Sequence, residues 1–74
     1  MNTNEYKLKG YVARDYGENG MGELCFGTEK PIWVEELGMW TDFGDNLMKL
    51  PTDWLMDLKH TDEPIEVELT IKKA

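Results

Sequence analysis

From Ile65 to Lys72 the chain alternates apolar and polar residues without a break: Ile65, Val67, Leu69 and Ile71 against Glu66, Glu68, Thr70 and Lys72. Successive side chains of a strand point to opposite faces, so this period of two predicts a strand with one buried and one solvated face. One-sided burial belongs to antiparallel sheets, because parallel strands are usually covered on both faces. Pro64 stands at the strand's start, where its missing N–H does least harm. A weaker copy of the pattern, "YKLKGYVARD", places Tyr6, Leu8, Gly10 and Val12 on one face and Lys7, Lys9 and Tyr11 on the other. If the two strands are neighbours, Lys7 and Lys9 lie beside Glu66 and Glu68 on the wet face. Each such cross-strand pair contributes roughly 0.2–1 kcal/mol, enough to bias the pairing.

Turn chemistry divides what lies between. "DYGENGMG" holds three glycines and an Asn-Gly pair, and predicts a return into a short strand, "ELCF", antiparallel to the first. Pro31 cannot donate to a ladder and biases Lys30 toward extended backbone, so Lys30-Pro31 closes that region. Strand-like residues resume at Ile32 to Val34 and at Met39 to Phe43, and "FGDN" turns the chain into "LMKL". "PTDWLMDL" then breaks the period of two. Thr52 suits a helix N-cap, Asp53 suits the helix dipole, and Trp54, Leu55 and Leu58 share a face at helical spacing. The expected fold is therefore mainly β (α+β): one domain over residues 1–74, a single antiparallel sheet of four to five strands, and one short helix before the last strand. Its expected core is Leu8, Val12, Leu24, Phe26, Leu50, Trp54, Leu55, Leu58, Ile65, Val67, Leu69 and Ile71.

Charge narrows the function. Fifteen acids against eight bases give a net charge of −7. Nucleic-acid backbone and anionic membrane surfaces both attract basic faces, so direct binding to either is not expected. Cys25 is the sole cysteine, which excludes an internal disulfide and fits a reducing compartment. No run approaches the roughly 20 apolar residues that span a bilayer, and "MNTNEYKLKG" has no signal-peptide core, so the expected location is cytoplasmic.

The segments "GELCFGTEKP", "GMWTDFGDNLMKL" and "LPTDWLMDLKHTDEPIEVELTI" resemble a group of small proteins of unknown function from gut bacteria and their mobile elements. The shared elements are a Gly-Glu-Leu hairpin, a Lys-Pro, a Trp strand, a Leu-Pro-x-Asp short helix and an Asp-Glu-Pro-x-Glu-Val-Glu-Leu closing strand. The similarity runs over residues 6–72 and is most specific in its closing segment. It implies the small sheet read above and carries no activity.

Little in the chain suggests catalysis. No serine is present, and His60 is the only histidine. A reactive thiol needs an accessible, electropositive setting, whereas Cys25 lies inside an apolar strand. No catalytic residue, cofactor or metal is expected. Asp42, Asp45 and Asn46 offer oxygen ligands in one turn, but not at the spacing of a calcium loop, and such residues are ordinary turn formers. Aromatic anchors are more suggestive, because Trp and Tyr dominate interface hot spots. "PIWVEELGMW" joins Trp33 and Trp40 to Glu35 and Glu36. Core or rim packing is the plain reading of Trp33. The functional one is a non-catalytic protein-interaction module of a bacterium or mobile element, contacting an unknown protein partner through Trp33, Glu35, Glu36 and Trp40. The alternative is an acidic inhibitor that mimics nucleic acid and fills the basic site of a DNA- or RNA-acting enzyme. A pocket between helix and sheet that holds a small ligand is a third option. A free sheet edge also allows a homodimer.

Overall fold

The computed structural model describes residues 5–73; residues 1–4, the start of the stretch read as lacking a signal peptide, and residue 74 lie outside it. Six strands follow one another: β1 (Glu5–Arg14), β2 (Leu24–Gly27), β3 (Ile32–Val34), β4 (Met39–Thr41), β5 (Met48–Leu50) and β6 (Ile65–Lys72). Four of them form an antiparallel sheet in the order β5-β2-β1-β6, and β3 and β4 form a separate two-stranded sheet. The expected single sheet is thus two. The backbone N–H of Trp40 on β4 donates to the Asp15 carboxylate at 2.8 Å, so the small hairpin is tied to the end of β1 by a side chain and not by a strand ladder.

The first and last strands of the chain are neighbours, and their register keeps the period-two pattern on one face. All of β6 pairs with β1 from Glu5 to Val12, with Leu8 opposite Leu69, Gly10 opposite Val67 and Val12 opposite Ile65. The even positions of β1 and the odd positions of β6 thereby share one face. Val12, Leu24, Phe26 and Leu58 are buried there, with Leu8, Leu50, Val67 and Leu69 packed against them. The ends of the β6 ribbon leave this core: Ile71 is 58% exposed and Ile65 also faces solvent. Phe26 fills the space over Gly10, where a Cβ would come within 2.6 Å of its ring. On the sheet's other face Ala13, Cys25 and Phe43 form a second, smaller cluster with Trp40 against it. Strand β2 is therefore buried on both faces, while β1 is so only toward its C-terminal end. Lys9 does lie opposite Glu68, but Lys7 faces Thr70, and both Lys7 and Lys72 make their ion pairs with Glu5.

No α-helix forms in 51–58, and the expected docking helix is replaced by a chain of turns. Arg14 supplies the reason. Its side chain is almost fully enclosed, at 1% exposure, and every N–H of its guanidinium meets a backbone carbonyl. Nε donates to Leu58 at 2.7 Å, one Nη to Gly22 and Thr52 at 2.9 and 3.0 Å, and the other to Trp54 and Leu55 at 2.6 and 3.1 Å. A helix would point the carbonyls of Thr52, Trp54 and Leu55 along its axis toward the N–H groups four residues on. Here they converge on a single cation. Leu55 takes a left-handed conformation, φ +49°, which no helix interior allows. Isolated three-residue bonds, Trp54 N–H to Pro51 and Leu58 N–H to Leu55, close the turns. Trp54 and Leu55, expected in the core, are 52% and 46% exposed, and Leu58 alone of the segment reaches it. Where a pocket between helix and sheet was expected, an open depression of about 330 Å³ lies between these turns and β6, lined by Leu55, Asp57, Leu58, Asp62 and Ile65.

A domain of this size draws only about 3–5 kcal/mol from its core. Removing one partner from a buried charged network costs about as much. Arg14→Met is expected to leave the chain largely unfolded. Arg14→Lys has three N–H donors for five carbonyls and leaves two without a partner, so it is expected to lose about 2–6 kcal/mol at about 1–3 kcal/mol for each. Urea unfolding measures both, and a lysine variant within about 0.5 kcal/mol of wild type, the usual range of a neutral surface change, would contradict this role.

A candidate binding groove at the hairpin

Trp33 and Trp40 are direct cross-strand partners in the β3–β4 hairpin, so both project from the same face. The four-residue loop Glu35–Gly38 fixes that register. Gly38 N–H bonds back to Val34 and Glu35, and Gly38 takes the left-handed conformation, φ +63°, that such a loop needs at its last position. Opposite strands bring the indoles together at 5.4 Å between centroids, inclined at 60°. The Trp33 indole N–H donates to Glu35 at 2.6 Å, while the Trp40 indole N–H is buried without an acceptor.

Two further rings come from elsewhere in the chain. Tyr16 follows β1, and its N–H donates to Gly38 at 3.0 Å, which seats it against the hairpin loop. His60 arrives at the end of the segment that Arg14 holds. It lies 5.2 Å from Tyr16, nearly perpendicular, and 5.9 Å from Trp33 at 37°. Tyr16, Trp33, Trp40 and His60 line one open groove of about 740 Å³, with Glu35, Glu36, Leu37, Gly38 and Thr61 completing the wall. All four residues singled out in the sequence, Trp33, Glu35, Glu36 and Trp40, meet in this groove. Tyr16 and His60 were not associated with them, because nothing local to either residue signals the long-range packing that brings it there. The lining contains two carboxylates and no lysine or arginine.

A second depression, of about 720 Å³, lies on the other side of Trp40 and is lined by Asp15, Glu23, Cys25 and Lys49 among others. The ligand atoms of Asp15, Glu23 and Cys25 lie within 4.8 Å of one another, a set of oxygen and sulfur donors that zinc accepts. They are not the turn acids Asp42 and Asp45 considered from the sequence. The Lys49 ammonium already sits 3.2 Å from Glu23, so a metal ion would compete with a built-in cation. Burial pushes the Cys25 thiol up to about 11, with the charges of Asp15 and Glu23 acting in the same direction. At neutral pH it is a thiol and a poor nucleophile. His60 lines the groove and Cys25 the other depression, so the two do not form a pair.

Asp15 bridges the two regions. Burial raises its carboxyl above the ordinary value, the N–H of Trp40 works against that, Glu23 adds to it and Lys49 opposes it. No family model, curated protein or solved structure matches the chain. No helix of the described residues is long and apolar enough to cross a membrane.

A raised folded-state value means that folding favours protonated Asp15. Stability from this group is present below the ordinary carboxyl range and is lost as pH rises through the raised value. Asp15→Asn keeps an acceptor for Trp40 and carries no charge. Its stability relative to wild type is expected to be higher at pH 7 than at pH 3 in urea unfolding. An equal or reversed difference would contradict the assignment.

Proposed function

We propose that this chain is a small, non-catalytic, cytoplasmic protein-interaction module that docks a segment of a partner protein in the hairpin groove. The observation that carries the reading is the convergence of Tyr16, Trp33, Trp40 and His60 on one open groove. Aromatic rings combine a large apolar area with few rotatable bonds, which is why they dominate interface energetics. The rings come from three segments far apart in the chain. Such convergence supports a formed surface more than a chance exposure of one hairpin. The bacterial or mobile-element setting rests on the sequence resemblance alone.

Peptides selected from a random displayed library against the wild-type chain test the reading. Trp33→Ala is expected to weaken the selected peptides by more than tenfold, the threshold of about 1.4 kcal/mol that marks a strong anchor. Glu66→Lys with Glu68→Lys, on β6 and outside the groove, is expected to leave them unchanged. Circular dichroism controls for folding. Peptides indifferent to Trp33→Ala but weakened by the β6 charge reversals would overturn docking in favour of a diffuse acidic surface of the mimic type.

A further inference from the structure

We infer that the group seated in the groove is an arginine side chain of the partner segment, an inference that rests on the docking reading above. The groove offers aromatic rings and two carboxylates together and no lysine or arginine, so an anion meets the repulsion of Glu35 and Glu36 with no permanent cation to offset it. The whole chain adds to this field with its net charge of −7. Cations are drawn to ring faces by the π quadrupole, and the attraction grows as water is displaced. The three neighbouring ring pairs meet at 60°, 88° and 37°, and none is a parallel stack that would close ring faces against each other over their full area.

Among cations, the arrangement suits a guanidinium. The groove is open, so its occupant stays partly hydrated. A quaternary or methylated ammonium gains most from an enclosed cage, and a primary ammonium holds its water strongly. A guanidinium is planar and weakly hydrated, stacks on aromatic faces and offers a fork of N–H donors to carboxylates. Glu35 and Glu36 stand at the loop of the hairpin to receive that fork. One Glu35 oxygen is already held by the Trp33 indole at 2.6 Å, which fixes the carboxylate beside the ring. Ring and carboxylate are thus pre-positioned as one unit for a flat cation. The groove volume, about 740 Å³, leaves room for the residues that flank the arginine.

Four short peptides, identical except for a central arginine, lysine, citrulline or glutamate, separate the possibilities. Citrulline keeps the shape of arginine and removes its charge. Titration followed by the indole N–H resonances of Trp33 and Trp40 reports binding in the groove itself. The arginine peptide is expected to bind at least tenfold more tightly than its citrulline twin, with lysine between them and glutamate weakest. Glu35→Gln with Glu36→Gln is expected to erase most of the arginine-over-citrulline preference while the tryptophan resonances still respond. If citrulline and arginine bind equally, the inference fails and the docking reading stands. If arginine binds but moves only resonances outside the groove, the inference fails because the attraction is a diffuse charge effect. If the peptides selected on the chain also leave both indoles unmoved, the docking reading fails with it.

Discussion

Arg14 is the only arginine in the chain, and it lies in the interior with its charge facing five backbone carbonyls and no carboxylate. No acid of the described residues comes within ion-pair distance of it. Burial of an unpaired cation is among the most costly acts in folding, and it is tolerated only where every donor is satisfied. The carbonyl dipoles of Gly22 and of 52–58 satisfy it completely. In return the carbonyls of Gly22, Thr52, Trp54 and Leu58 acquire a partner outside any helix or strand ladder, while that of Leu55 also accepts the Leu58 N–H. The guanidinium is thus the secondary structure of that segment, in place of a backbone ladder. It also sets Leu58 into the core, since the carbonyl of that residue accepts the Nε bond.

Three successive residues at the end of β1 anchor the hairpin and the 52–58 segment outside the main sheet. Arg14 holds the 52–58 segment, the Asp15 carboxylate holds β4 through the Trp40 N–H, and the Tyr16 N–H holds the hairpin loop through Gly38. The groove inherits its shape from all three. His60 follows the segment that Arg14 secures, Trp33 and Trp40 ride on the hairpin that Asp15 secures, and Tyr16 lies between. Function, on this reading, is downstream of a buried cation that never touches the partner. The raised carboxyl of Asp15 fits the same picture: its burial is the cost of tying a hairpin to the end of β1 by a side chain.

Much of this architecture was legible in the sequence, and the missing part has a definite cause. Strict alternation set β6 and its inner face, because a shift of one residue would turn Val67 and Leu69 out of the core, while its pairing with β1 stood only as a possibility that the register then bore out. Gly and Pro located the turns. The error at 51–58 came from reading local spacing alone: Trp54, Leu55 and Leu58 do recur at helical intervals, but a tertiary donor claimed their carbonyls. The signal for that donor was present. Continuing the parity of Leu8, Gly10 and Val12 by one step places Arg14 on the inward face, and only the general habit of arginine to face water argues otherwise. Within the groove, Trp33, Trp40 and the adjacent glutamates were visible as an acid-flanked aromatic stretch. Tyr16 and His60 were not, because their place depends on the fold of segments whose shape Arg14 dictates.

The most direct test is spectroscopic. With a single arginine, the guanidinium signals of a ¹⁵N,¹³C-labelled sample belong to Arg14 without assignment. The account expects separate, slowly exchanging Nη–H resonances and through-bond couplings from the guanidinium nitrogens to the carbonyl carbons of Gly22, Thr52, Trp54, Leu55 and Leu58. A single averaged Nη signal in rapid exchange with water, without those couplings, would contradict it.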